Sequence, residues 1–260
     1  MSTVQDTEQP VDALGLGPRL EIDNLEVSFR RNGTTIHSVR DVSMQVGPGE
    51  IVALVGESGS GKSVLGLSVL GLLPADAAPS VRGRVAVCGT DMVAATATQR
   101  RAVRRQHLGA VFQDPMTSLN PTMRIGDQVA EAAGSRVDAQ HVLELVRLPA
   151  AKRRMRAYPH ELSGGQRQRV MIAMAIAAQP DLIVADEPTT ALDVTVQSQI
   201  LALLSDLRDE IGCSVLLVTH DYAVAAQIAD RVAVMYGGRM MEFGDMGEVL
   251  SAPSHPYTHG

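Results

Sequence analysis

The sequence predicts an α/β protein: a mostly parallel sheet covered by helices and interrupted by one helical insert. Three observations carry that prediction. Short apolar runs alternate with segments of helical period along most of the chain. A glycine-rich stretch, Gly56 to Ser63, falls between one such run and a helix. An acidic pair, Asp186-Glu187, ends another run, at the strand end where open α/β sheets bind ligands. The 260 residues, 45% hydrophobic and 20% charged, suit one large globular domain or a core with a subdomain.

The elements follow in order. Residues 1–19 mix acidic side chains with Pro10, Pro18 and glycines and read as a mobile tail. Leu20 to Phe29 and Val39 to Val46 alternate like strands, with Asn32-Gly33 as a turn between them. Ile51 to Val55 is a short continuous apolar run ended by glycines, which suits a buried strand. A helix is predicted over Lys62 to Leu73, stopped by Pro74. Val85 to Val87 and Leu108 to Phe112 are strands around a helix rich in Arg100, Arg101, Arg104 and Arg105. From Asp114 to Gln179 the pattern turns helical, with Ile125 to Ala133, Asp138 to Val146 and Gln166 to Ala178. Alternation then resumes: strand Leu182 to Ala185, helix Val194 to Glu210, strand Ser214 to Thr219, helix Tyr222 to Ala229, and strands Val232 to Met235 and Arg239 to Phe243.

Composition removes several function classes. A formal net charge of −6 leaves no electrostatic footprint for wrapping nucleic acid or lying on anionic lipid. Two cysteines, Cys88 and Cys213, make neither a disulfide framework nor a four-thiolate metal site and read as small buried hydrophobes. The longest apolar stretch, Val170 to Ala178, is about half of what a membrane-spanning helix needs. Asp6, Glu8 and Asp12 stand where a secretion signal would place basic and apolar residues, so the chain is expected in the cytoplasm.

Gly56-Glu57-Ser58-Gly59-Ser60-Gly61-Lys62-Ser63 fits the phosphate-loop pattern in its required strand-to-helix setting. The glycines let successive N–H groups turn inward on an anion, and the helix N-terminus adds its positive dipole end. Lys62 reaches the β- and γ-phosphates and the Ser63 hydroxyl sits on Mg²⁺. Of the 23 basic residues only Lys62 and Lys152 are lysines, consistent with a compact point charge being needed at 62. Leu182 to Ala185 delivers Asp186 to hold Mg²⁺ and Glu187, one residue on, to polarise the attacking water. Phosphoryl transfer to water needs chiefly positioning and charge neutralisation.

With these motifs in place, the chain from Leu20 to Gly260 resembles the ATP-binding subunits of ABC transporters. Leu162-Ser163-Gly164-Gly165-Gln166 matches that family's signature. Physically it is another anion site, two glycines and a hydroxyl at the mouth of a helix. The resemblance implies a P-loop NTPase core of RecA-like type with a mixed, mostly parallel sheet, an ABC-type β subdomain and an inserted α-helical subdomain. The expected division is a core over 20–113 and 180–244, a helical subdomain over 114–179, and the start of a C-terminal extension over 245–260. It also implies ATP and Mg²⁺ as cofactors, and ATP sandwiched between two ATPase subunits, so that Ser163 to Gln166 of one meet the γ-phosphate on the other. Gln113 would open the Q-loop and touch Mg²⁺ and the water. Asp193, in Ala191-Leu192-Asp193, would form the D-loop, His220 would be the switch histidine, and Phe29 would stack on adenine.

A narrower resemblance, to the peptide/nickel importer group, rests on Gln113 to Pro121, on Tyr158-Pro159-His160-Glu161 and on His255-Pro256-Tyr257-Thr258. It implies two transmembrane permease subunits, a second ATPase subunit of the same or similar kind, an extracytoplasmic solute-binding protein acting indirectly, and a place on the cytoplasmic face of the membrane. Members often continue past the His-Pro-Tyr-Thr motif, so an added segment is expected to be absent or removed here. His255 and His259 read as solvated. The basic clusters Arg100 to Arg105 and Lys152 to Arg156 are either solvated helix faces or, for the second, a docking surface. Two rival functions stand beside this one. A soluble ABC ATPase acting on DNA, ribosomes or cofactor assembly would usually carry a long coiled coil or a second ATPase half. A phosphate-loop kinase leaves Ser163 to Gln166 and His220 unexplained.

Overall fold

The computed structural model describes residues 17–31, 33–114, 118–190 and 192–259. Most of the expected tail, Asn32 of the first turn, Pro115, Met116 and Thr117 of the Gln113 motif, Ala191 and Gly260 lie outside the described residues.

Two sheets form. β1 (Leu20–Arg31), β2 (Thr34–Val46), β4 (Ser80–Val87) and β5 (Thr90–Asp91) make an antiparallel sheet in the order β2-β1-β4-β5. β3 (Ile51–Gly56), β6 (Leu108–Val111), β7 (Leu182–Asp186), β8 (Ser214–Thr219), β9 (Arg231–Tyr236) and β10 (Arg239–Asp245) make the second, in the order β10-β9-β3-β8-β7-β6. All its neighbours are parallel except β9 and β10, a hairpin. Every residue of β3 and β8 is buried, which is why these runs are continuously apolar rather than alternating: both faces of a parallel sheet are covered.

The helix α1 (Lys62–Leu70) packs on β3, β7 and β8 from one side and on β2 and β4 from the other. Its Leu65, Val69 and Leu70 join Leu54, Val184 and Val218 of one sheet and Val42, Val85 and Val87 of the other in a single apolar cluster. Burying each such side chain contributes about 1.5–3 kcal/mol. Gly66 faces the sheet, where a Cβ would make only an ordinary contact with Val184 Cγ1 at 3.6 Å. α1 ends at Leu70, three residues short of the expected Leu73. Gly71 adopts the left-handed conformation (φ 60°) with its N–H on Ser68 O, and Leu72 N–H returns to Leu67 O. Gly71, not Pro74, stops the helix. Arg104 of α2 (Ala97–Gln106) donates Nη1 to Leu70 O and Gly71 O at 3.3 Å each, so one arginine of the first basic cluster caps α1.

Between β6 and β7 the described residues hold helices alone: α3 (Ile125–Ala133), α4 (Arg136–Leu145), the short α5 (Ala151–Arg154) and α6 (Gly164–Ile176). The starts of α4 and α6 precede the expected Asp138 and Gln166, because Ser135 and Ser163 cap them by accepting from N–H groups three residues on. Val129, Leu143, Val170 and Ile172 join the underside of β6 and β7 to α7 (Val194–Ile211) in the largest apolar cluster. α8 (Tyr222–Ile228), α9 (Met246–Ser251) and α10 (Pro256–His259) complete the chain. The last two and α5 were not expected: each is too short to show a helical period. No described helix is long and apolar enough to cross a membrane.

Candidate functional site

The glycine-rich loop leaves the carboxyl end of β3 and enters α1 directly. Two of its glycines are required by close approach. A Cβ on Gly56 would lie 2.1 Å from Met235 O, and one on Gly61 2.2 Å from Ser38 O. The loop is thus clamped between β9 and β2, and Gly238 N–H donates to Ser60 O at 3.0 Å from the β9–β10 turn. Inside the loop Lys62, only 5% exposed, folds its ammonium back onto Gly56 O at 2.7 Å and Glu57 O at 2.9 Å. Burial lowers its pKa, opposed by the charges of Glu187 and Asp186. The Ser60 hydroxyl is buried with no hydrogen-bond partner. A buried cation satisfied only by carbonyl oxygens, beside an unpaired hydroxyl, fits a loop whose natural occupant is a polyanion.

β7 brings Asp186 and Glu187 to the same end of the sheet. Ser63 Oγ donates to Asp186 Oδ1 at 3.3 Å. Burial pushes the Asp186 carboxyl up, while the Ser63 hydrogen bond and the Lys62 charge oppose it. Hydroxyl and carboxylate oxygens in this position, with the Gln113 amide nearby, are the hard donor set that Mg²⁺ prefers.

Glu187 turns away in the left-handed region, φ +48°, anchored by its N–H on Val218 O at 2.8 Å. Such a backbone costs a β-unbranched residue of order 1–3 kcal/mol and is retained where the surroundings demand it. Here they do. Its Oε2 accepts from Gln113 Nε2 at 3.0 Å and Thr190 Oγ1 at 2.8 Å, and Oε1 faces His220 Nδ1 at 3.1 Å. Burial works to raise the Glu187 pKa, but Thr190, His220 and the Lys62 charge outweigh it and hold the carboxyl below its ordinary value. The chain therefore gathers Lys62, Ser63, Gln113, Asp186, Glu187 and His220 from four separate segments. An ionised carboxylate held by three side chains, facing a cation and a hard-oxygen pair, can orient and deprotonate a water beside a phosphoryl group.

The other expected residues lie apart. Ser163 caps α6, with a reciprocal bond from its own N–H to Gln166 Oε1 at 3.2 Å, and Asp193 caps α7 through Val196 N–H at 2.9 Å. Gly165 brings these two helix mouths together: a Cβ there would stand 2.6 Å from Val196 Cγ1. A Cβ on Gly164 would stand 3.5 Å from Leu192 Cδ2, an ordinary contact. Phe29 is half-buried against the cluster between the sheets, paired in register with Ile36. Two contributors were given no site role from the sequence, although Tyr257 stood in one of its motifs. Thr190 is one, three residues past Glu187, a spacing that a hydroxyl in the following turn could have signalled. The other is Tyr257, whose phenol lies against Glu57 of the loop and 4.5 Å, centroid to centroid, from the ring of Tyr236.

Residues 39–190 match the family described as ABC transporter. The chain is 46% identical over 250 residues to the oligopeptide transport ATP-binding protein OppD of Bacillus subtilis (strain 168), covering 93% of this chain and 70% of that protein. It is also 46% identical to the dipeptide transport ATP-binding protein DppD of the same organism, covering 93% and 75%. Among solved structures, a dimeric ATP-binding cassette in a post-hydrolysis state bound to ADP and Pi superposes with a TM-score of 0.77 at 28% identity, covering 87% of this chain and 98% of that one.

Proposed function

The chain belongs to the ABC transporter family as one of its ATP-hydrolysing subunits, and we propose that it energises a bacterial importer of peptides. Metal chelates, nickel included, are the other cargo the motifs admit. Its partners are two transmembrane permease subunits, a second ATPase subunit and, indirectly, an extracytoplasmic solute-binding protein. It sits on the cytoplasmic face of the membrane. The likeness to peptide-transport ATP-binding proteins over 93% of the chain supports this, together with the Gln113, Tyr158 and His255 motifs.

Within the site, Lys62 exchanges its two carbonyl partners for the β- and γ-phosphates of ATP, while the backbone of Gly56, Glu57, Ser58, Gly59, Ser60 and Gly61 wraps them. Ser63, Asp186 and Gln113 would hold Mg²⁺, which when bound would neutralise phosphate charge. Glu187 takes the proton of the attacking water. Gln113 and Thr190 fix the carboxylate on one oxygen, and His220 spans the other oxygen and the γ-phosphate. Phe29 stacks on the adenine. Ser163 to Gln166 and Asp193 of a partner subunit close over the γ-phosphate, which accounts for their lying outside the chain's own cluster.

The observation that carries the catalytic reading is the Glu187 carboxylate held by three side chains and kept ionised beside the Ser63–Asp186 pair. The test is affinity purification of Glu187→Gln from detergent-solubilised membranes with ATP. Two polytopic subunits are expected to come with it, and their identity points to the cargo. A soluble assembly, ribosome or DNA complex would leave the ATPase standing and overturn the transport role.

A further inference from the structure

The edge of the parallel sheet opposite Asp186 and Glu187 carries a second convergence of reactive side chains. β6 begins at Leu108 and β7 at Leu182, and these two residues pair in register. His107 and Asp181 each stand one residue earlier, so the parallel ladder itself sets them side by side. His107 Nδ1 lies 2.6 Å from Asp181 Oδ2. Cys88 arrives from the other sheet, on the tight turn between β4 and β5, with its N–H on Arg19 O at 3.0 Å. One ligand atom from each of Cys88, His107 and Asp181 lies within 4.8 Å of the other two, and all three side chains are half-buried.

We propose that Cys88, His107 and Asp181 form a binding site for one divalent transition cation of the Zn²⁺ class, with water as the fourth ligand. The donor set selects the ion. A thiolate and an imidazole disfavour Mg²⁺ and Ca²⁺, which take oxygen, and suit Zn²⁺. Bond lengths of about 2.0–2.3 Å bring tetrahedral ligand atoms roughly 3–4 Å apart, so contacts as wide as 4.8 Å close by about 1 Å and the His107–Asp181 pair, 2.6 Å apart, opens by about 0.5 Å, both through side-chain torsions. The backbones are already pinned: Leu182 N–H donates to His107 O at 3.0 Å and Ser214 N–H to Asp181 O at 2.8 Å. On binding, the ion replaces the proton shared by His107 and Asp181 and the thiol proton of Cys88, both of which leave to solvent.

Arg19 competes. Its Nη1 lies 3.2 Å from Asp181 Oδ1, which leaves Oδ2 for the ion but places a positive charge beside it. The same contacts without metal make an Arg–Asp–His network of the kind that contributes little stability, and the two descriptions predict opposite behaviour on removing the arginine charge. Because Cys88 belongs to the antiparallel sheet and the other two to the parallel sheet, a bound ion staples the sheets together at a point remote from the phosphate loop.

The experiment titrates the purified full chain with Co²⁺, then Zn²⁺, in excess Mg²⁺ so that oxygen sites are filled. One equivalent of Co²⁺ is expected, with a thiolate-to-cobalt absorption band that Zn²⁺ removes. Cys88→Ser abolishes the band and weakens Zn²⁺ binding by about 100-fold or more, His107→Ala weakens it comparably, Cys213→Ala keeps it, and Arg19→Gln tightens it. Zn²⁺ raises the melting temperature of the wild type and not of Cys88→Ser. No band, a band that survives Cys88→Ser, or equal Zn²⁺ affinity in wild type and either ligand variant overturns the proposal.

Discussion

Replacing Glu187 by glutamine separates chemistry from architecture with unusual economy, because the geometry lets nearly every contact survive. If the amide oxygen takes the place of Oε2, the bonds from Gln113 Nε2 at 3.0 Å and Thr190 Oγ1 at 2.8 Å persist. The amide nitrogen then faces His220 Nδ1, now 3.1 Å from Oε1, and donates to it once the imidazole carries its proton on Nε2. What is lost is charge assistance, about 1 kcal/mol, so the melting temperature should fall by only about 2–4 °C. What is removed from catalysis is the base itself, worth about 10²–10⁴ in rate or roughly 3–5 kcal/mol of barrier. Phosphate release from the assembled transporter should drop by that factor, while ATP binding to the purified chain stays within about threefold. Gel filtration with ATP should show a dimer that the wild type forms only transiently. Wild-type phosphate release from a variant that binds ATP normally would refute the role given to Glu187.

The pH profile tests the electrostatics independently. Because Thr190, His220 and Lys62 hold the Glu187 carboxyl below its ordinary value, the base is ionised throughout the neutral range, so kcat should keep its acidic limb at or below the usual glutamate range; a limb above pH 6 would contradict it. The same depressed pKa makes Glu187 stabilise the fold above its unfolded-state value and lose that contribution as pH falls through the folded one. Thr190→Val removes one hydroxyl from Oε2, so kcat should fall by about tenfold with the KM for ATP nearly unchanged, and an unchanged kcat would make Thr190 a bystander. Gly165→Ala forces a Cβ to 2.6 Å from Val196 Cγ1 and should cost about 1–3 kcal/mol, read as a lower melting temperature; pairing it with Val196→Ala should recover most of the loss. Cys213 is fully buried with its thiol pushed up to about 11, so alkylation at pH 8 should spare it until the chain unfolds; labelling of the native protein at Cys213 would contradict its placement.

Much of the site was legible in the sequence because the chemistry is local there. A phosphate loop needs its glycines, lysine and hydroxyl within eight consecutive positions, and a magnesium-binding acid needs an apolar strand to carry it. Those constraints are written in adjacent residues, as are the all-apolar runs of β3, β7 and β8. Helix ends were less legible. Whether Gly71 or Pro74 stops α1 depends on whether Gly71 goes left-handed, and that is set by the bonds of Gly71 and Leu72 back into the last turn and by Arg104 reaching the freed carbonyls from another helix.

Other features had no local signal. Alternation announced strands but not their division into two sheets, since a period of two is the same in either; which strands hydrogen-bond decides it, and α1 packs between the results. The reason for glycine at 56, 61 and 165 is the approach of Met235, Ser38 and Val196, residues far away in the chain. Likewise Tyr257 meets Glu57 across the whole sequence, and Cys88, His107 and Asp181 meet only because two parallel strands start in register beside a turn of the other sheet. The sequence determined the chemistry that must be contiguous to work. Tertiary packing decided which distant side chains complete it, because register and close approach are properties of elements brought together, and no window of neighbouring residues contains them.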